Sequence, residues 1–223
     1  MRLATARWNP RKLAFFPLVL VVALFGGAQA YAARSQQSKA AAALPNLGRV
    51  TDTLYRGAQP SPAGFGALQQ MGVAIVVNFR EEPGETAIEE RDVESMGMRY
   101  VNIPWSGRDN PSNAQIAQFL DLLRANPQTK IFVRCLRGAD RTGTMVASYR
   151  IAVQHQPVGQ AVSEMHQFHY DHFWLPQLQR YVIAFPNQLK SNAMFSAYAP
   201  TPVNPIAAAA ETAVATVAAP AVR

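Results

Sequence analysis

Lys130–Gly143 reads KIFVRCLRGADRTG, and this stretch decides the fold. KIFVR is short, apolar and rich in β-branched and aromatic residues, the pattern of a buried strand. Thr142–His155 has the composition of a helix. Between them, Cys135 and Arg141 are separated by five residues. A loop of this length wrapped over a helix N-terminus turns several backbone N–H groups inward, making a concave anion site that the helix dipole reinforces. The same positive field favours the thiolate of Cys135, and hence a nucleophile. Arg141 can form two parallel charge-assisted bonds to phosphate oxygens and hold them as the phosphorus becomes five-coordinate. Leu136, Arg137, Gly138 and Ala139 would line the site through their backbone, with Gly138 supplying turn freedom. Gly143 would let the helix start pack closely, and the Thr142 hydroxyl would donate to the thiolate.

Working outward, strand and helix patterns alternate. Thr53–Arg56 reads as a short strand, and Ser61–Met71 as a helix with Ser61 as N-cap, Pro62 at the first helical position and Gly72 as its stop. Val73–Phe79 (VAIVVNF) is continuous and β-branched, as a strand buried on both faces would be. Glu85–Met96 is an acidic helix closed by Gly97, and Arg99–Ile103 returns as a strand. Ser112 caps a helix whose apolar residues Ile116, Phe119, Leu120 and Leu123 keep a helical spacing. After the loop, Val158–Phe168 and Leu175–Phe185 add two helices. The alternation predicts an α/β fold with a central, mostly parallel sheet flanked by helices. Ligands in such sheets bind at the carboxyl ends of strands, which is where Cys135 falls.

RCLRGADRTG (Arg134–Gly143) resembles HCxxGxxR[ST]G, the signature of the protein tyrosine phosphatase superfamily. LYRGAQP (Leu54–Pro60) is similar to the YRSGQPS segment, and MGVAIVVNFREE (Met71–Glu82) to the GIKTVINLR strand, of its dual-specificity-like bacterial branch. The likeness spans about Asn46 to Phe185. It implies a phosphoric monoester hydrolase that works through a cysteinyl-phosphate and needs no metal or organic cofactor. Its substrate would be a phosphorylated protein or another phosphomonoester, phosphoinositides included.

A leaving alkoxide or phenoxide needs a proton donor, and two aspartates compete for the role. Asp109, in WSGRDNPS, occupies the kind of loop where many family members keep their acid. Asp140 resembles the loop aspartate of GKDRTG and GxDRT members. Motif context favours Asp140; the plainer readings are a turn at Asp109 and loop orientation by Asp140. One departure stands out: the family's histidine before the nucleophile is Arg134 here, which either turns inward as a positive charge or lies on the surface as a solvated base. Arg137 and Arg80 could widen the positive field toward multiply phosphorylated substrates, the simpler reading being a solvated Arg137 and an Arg80 paired with Glu81 or Glu82. Arg134 also motivates a second class, a phosphate-binding module without turnover. A rhodanese-type sulfurtransferase is a third, opposed by the RTG ending and by YRGAQP.

The ends of the chain read differently from its middle. Arg2, Arg7, Arg11 and Lys12 precede the apolar run Leu13–Phe25 and small-residue cleavage patterns near Ala30 and Ala32, the order of a secretory signal. The alternative is an uncleaved anchor through residues 13–33. The first reading makes the protein periplasmic or secreted; the second holds it at the membrane with its domain outside the cytoplasm. Without residues 1–33, the 21 Lys and Arg fall to 17 against 14 acids, a net +3 that gives no support to nucleic-acid binding. The expected organisation is a signal or anchor over 1–33, a linker over 34–45, a phosphatase domain over 46–190 and a disordered Ala/Pro-rich tail over 191–223. Cys135 is the single cysteine of the chain, so no intramolecular disulfide forms. His166, His169 and His172 recur every three residues but lack the partners of a metal site. Phe168, Tyr170, Phe173 and Trp174 are read as packing between the last two helices, and Trp105 as core anchor or lid.

Overall fold

The computed structural model describes residues 42–199, which divide into two compact units. Residues 1–41 and 200–223, with the signal or anchor, most of the linker and most of the tail, lie outside the described residues. Among the described residues, no helix is long and apolar enough to cross a membrane.

The first unit holds residues 42–78, 82–102 and 128–138. It contains strands β1 (Gly48–Arg49), β2 (Leu54–Gly57), β3 (Ile75–Asn78), β4 (Arg99–Asn102) and β5 (Ile131–Arg134), with helices α1 (Pro62–Gln70) and α2 (Pro83–Ser95). The five strands form one sheet in the order β1-β2-β5-β3-β4. All neighbours are parallel except β1 and β2. The chain is therefore α/β with a mostly parallel sheet, as the alternation predicts. β1 was not legible, because two residues carry no periodic signal.

Phe65 and Leu68 of α1 and Val93 of α2 form one buried cluster with Val76, Tyr100 and Phe132 from the sheet. The alternate strand residues Leu54, Ile75, Val77, Ile131 and Val133 are buried too, which explains why these strands read as continuous apolar runs. The predicted stops and caps recur: the Ser61 hydroxyl accepts from the Gly64 N–H at 3.3 Å, and Pro62 opens α1.

The second unit holds residues 79–81, 103–127 and 139–199. Its helices are α3 (Asn113–Ala125), α4 (Asp140–Ala152), α5 (Val158–Gln167) and α6 (Pro176–Ser191), followed by a 3-10 turn at Ala193–Phe195. Ser112 and Gln115 form a reciprocal capping box at the start of α3. The central helix is α4, packed by α3, α5 and α6. Ten of its thirteen residues are buried, so it shows no polar face. Arg150 of α4 grips Glu164 of α5 through Nε at 2.7 Å and Nη2 at 3.2 Å.

α6 runs on to Ser191, past the expected end at Phe185. Pro186 sits inside it and removes one backbone bond, a cost of about 3 kcal/mol in an isolated helix. Burial offsets that cost: Phe185 and Leu189 are buried one turn apart, and Phe185 meets Phe195 edge-on at 5.3 Å. Two tyrosines pack nearby. Burial pushes the Tyr181 hydroxyl up to about 12. Tyr198 is likewise raised to about 12, by burial and then by its 2.7 Å bond to the Asp121 carboxylate.

Candidate active site

The signature loop leaves β5 at the sheet centre. Arg134, the last residue of β5, pairs with Gly57 of β2 and Asn78 of β3, so Cys135 emerges where three parallel carboxyl ends meet. Its side chain is buried. Cys135–Gly138 belong to the first unit and Ala139–Gly143 to the second.

In the first unit, three consecutive loop carbonyls are held by donors from distant segments. The Leu136 carbonyl accepts from the Gln59 N–H at 3.1 Å. Arg137 accepts from Asn46 Nδ2 at 3.0 Å, and Gly138 from Arg56 Nη2 at 3.0 Å. In a trans peptide the carbonyl and the following N–H point opposite ways. The N–H groups that follow these carbonyls therefore face away from the three donors, as an anion cradle requires. Gly138 has φ +68°, and a Cβ there would lie 2.3 Å from the Gly57 carbonyl carbon, so the approach of loop to β2 admits only glycine. The side chains of Leu136 and Arg137 are exposed.

Arg134 does not lie on the surface. It is buried, and its guanidinium clasps the equally buried Glu89 carboxylate of α2, with Nε donating to Oε1 at 2.8 Å and Nη2 paired with Oε2. The position of the family histidine thus carries a neutralised ion pair. Nothing in the acidic run of α2 marked Glu89 as buried, because its partner lies 45 residues away.

In the second unit, α4 begins at Asp140, two residues before the expected start. The Arg141 stem packs on the loop after β4: a Cβ on Gly107, which has φ +72°, would meet Arg141 Cδ at 2.9 Å. Arg141 Nη1 donates to the Trp105 carbonyl at 3.1 Å. Trp105 is buried, as its reading as a core anchor expects. Asp109 is exposed on the same loop, its Oδ2 accepting from Ser106 Oγ at 3.1 Å.

Asp140 is buried, and its Oδ1 accepts from the Asp171 N–H at 3.0 Å. Burial pushes the neighbouring Tyr170 hydroxyl above its ordinary value, and the Asp140 charge adds to the rise. Thr142 and Gly143 are buried; the Thr142 hydroxyl, expected to donate to the thiolate, has no hydrogen-bond partner among the described residues. Arg80 is buried.

Of the aromatics assigned to helix packing, Tyr170 is buried, but Phe173 and Trp174 are exposed at 74% and 75%. They stack edge-on against each other at 5.2 Å on the α5–α6 connection. His166 and His172 approach to 5.4 Å between rings, while His166 Nε2 lies 3.1 Å from Gln179 Oε1. Among the described residues, no group of three or more His, Cys, Asp or Glu side chains is placed to hold a metal ion.

A family model described as DSP-PTPase phosphatase fused to NAD+ kinase matches residues 34–179, more than half of the chain. The chain belongs to this family. The dual specificity protein phosphatase TpbA of Pseudomonas aeruginosa (strain UCBPP-PA14) is 32% identical over 121 residues, which are 54% of this chain and 53% of TpbA. The chain thus spans about half the length of that curated relative. The crystal structure of P. aeruginosa TpbA superimposes with a TM-score of 0.57 at 25% identity, covering 70% of this chain and 91% of that one. A TpbA cysteine-to-serine variant in complex with pTyr superimposes with a TM-score of 0.54 at 27% identity, covering 61% and 82%. The matched residues 34–179 include the whole of the loop Cys135–Gly143.

Proposed function

We propose that this chain is a phosphoric monoester hydrolase of the dual-specificity type, acting through a cysteinyl-phosphate on Cys135. The observation that carries the reading is the loop after β5. Its carbonyls at Leu136, Arg137 and Gly138 are tied to outer donors, which turns the peptide N–H groups that follow them to the opposite side, where a phosphate beside the nucleophile would lie. Family membership supports the same chemistry.

In the first step the Cys135 thiolate forms an S–P bond while the P–O bond to the alcohol or phenol breaks, and an aspartate gives the leaving oxygen its proton. In the second, water forms a new P–O bond, its proton passes to that carboxylate, and the P–S bond breaks to regenerate the thiolate. Arg141 binds the equatorial oxygens through both steps. Asp109 suits the donor role, being exposed on the loop that packs against Arg141. The Asp140 carboxylate already holds the Asp171 N–H, which suits it to positioning the start of α4.

The proposed substrate class is a phosphorylated protein, with phosphotyrosine the first candidate because the TpbA variant structure contains pTyr. Export, to the periplasm or with retention at the membrane through residues 13–33, is part of the proposal and rests on the N-terminal sequence pattern alone. The test is hydrolysis of an aryl phosphate by the purified full chain and by Cys135→Ser. Turnover in the parent and none in the variant is the expected result. Equal turnover in both would refute the mechanism, and tight phosphate binding without product release would replace the hydrolase by a phosphate-binding module.

A further inference from the structure

The signature explains which residues meet the phosphate, but not what holds a loop containing two glycine or alanine positions in the one conformation that presents its amides. Such a loop has many backbone states, and fixing each residue costs about 1–2 kcal/mol of conformational entropy. The donors on its outer side come from two separate segments of the first unit. Asn46 precedes β1, 91 residues from its acceptor Arg137, and Arg56 lies in β2, 82 residues from its acceptor Gly138. The two segments brace each other, since the Ala58 N–H donates to the Pro45 carbonyl at 2.8 Å.

Asn46 has an unusual backbone for its task. Its φ is +53°, a left-handed conformation that asparagine tolerates better than most residues, and this turns its carboxamide back onto the loop. Arg56 is fully buried in the sheet and spends one guanidinium N–H on the Gly138 carbonyl.

We propose that Asn46 and Arg56 are positioning residues for phosphate binding, holding the Arg137 and Gly138 carbonyls outward so that the loop amides stay turned toward the anion. The inference rests on the phosphate-site reading above. It assigns a role to the side-chain amide of a residue outside the signature, and it predicts that losing this amide weakens anion binding without loosening the fold.

The test uses the full chain and inorganic phosphate as the probe, its affinity read by calorimetry, together with KM and kcat for an aryl phosphate. Asn46→Gly keeps access to positive φ but loses the donor; Asn46→Asp keeps shape and φ but faces a carbonyl with an acceptor. Phosphate affinity is expected to fall roughly fivefold for Asn46→Gly, the scale of one hydrogen bond, and further for Asn46→Asp. The order should persist at high salt, where the added charge is screened. KM should rise more than kcat falls, and the thermal midpoint should stay within a few degrees of the parent. A purely structural turn predicts the opposite order, with Asn46→Asp binding phosphate as the parent does; that result, or unchanged affinity in both variants, overturns the proposal. Because phosphate binding is measured directly, the comparison decides the matter even if the parent proves to bind phosphate without turning substrate over.

Discussion

Glu89 and Arg134 allow a sharp test of what the unusual residue before the nucleophile contributes. Both side chains are almost fully buried, at 4% and 1% exposure, and Arg134 Nε donates to Glu89 Oε1 at 2.8 Å. At a charge separation near 4 Å and an effective dielectric of about 20, the attraction is about 4 kcal/mol. Removing one partner also strands a buried charge, and such single losses cost about 3–5 kcal/mol. Glu89→Gln should therefore lower the thermal midpoint by roughly 6–20 °C, taking about 2–4 °C per kcal/mol for a protein of this size.

The two single variants should respond differently to pH. Arginine cannot shed its proton, so the cost of Glu89→Gln stays constant from about pH 5 to pH 8. In Arg134→Met the stranded Glu89 can protonate, its folded-state pKa rising above the unfolded value of about 4.3. Part of the lost stability should then return as the pH falls toward 5. The double variant Glu89→Gln/Arg134→Met removes both charges and should cost far less than the sum of the two single changes. Urea unfolding of all four proteins at both pH values gives the coupling energy. Additive single effects, or a Glu89→Gln cost under about 1 kcal/mol, would refute the reading of a buried, mutually dependent pair.

Two further outcomes follow from the second unit. With phenyl phosphate, whose leaving group needs a proton, Asp109→Asn should lose about 100-fold or more in kcat together with the basic limb of its pH profile. Asp140→Asn should keep that limb, and the reverse pattern would assign the donor to Asp140. Ultraviolet titration should find two of the seven tyrosines, Tyr181 and Tyr198, ionising near 12 instead of 10. Their raised folded-state values favour the neutral form, so the stability they confer is full below pH 10 and lost as the pH rises to about 12. Replacing both by Phe should flatten that loss, as followed by circular dichroism.

Features confined to a few adjacent residues were open to reading from the chain. The strand KIFVR, the loop and the helix after it are contiguous, so Cys135 at a strand's carboxyl end and Arg141 at the start of the following helix needed no partner to be recognised. Ser61 and Ser112 are legible for the same reason, since an N-cap bonds within its own first turn. The apolar runs of β3 and β5 announced burial on both faces without saying what lies against either.

Contacts across long stretches of chain were decided by tertiary structure alone. Arg134 is a buried pair member and not a surface base because α2 delivers Glu89 to it, and charge patterning in α2 is silent on which acid turns inward. α6 continues through Pro186 because burial of Phe185 and Leu189 outweighs a local penalty that propensity counts in full. Asp140 accepts from the Asp171 amide, 31 residues on, a contact that motif context does not show. The sequence determines that this chain carries a cysteine, an arginine and a helix start spaced for phosphate, because those are local and covalently ordered. How the loop is held open is decided by Asn46 and Arg56, since hydrogen bonds across 91 and 82 residues exist only once the sheet has brought those segments together.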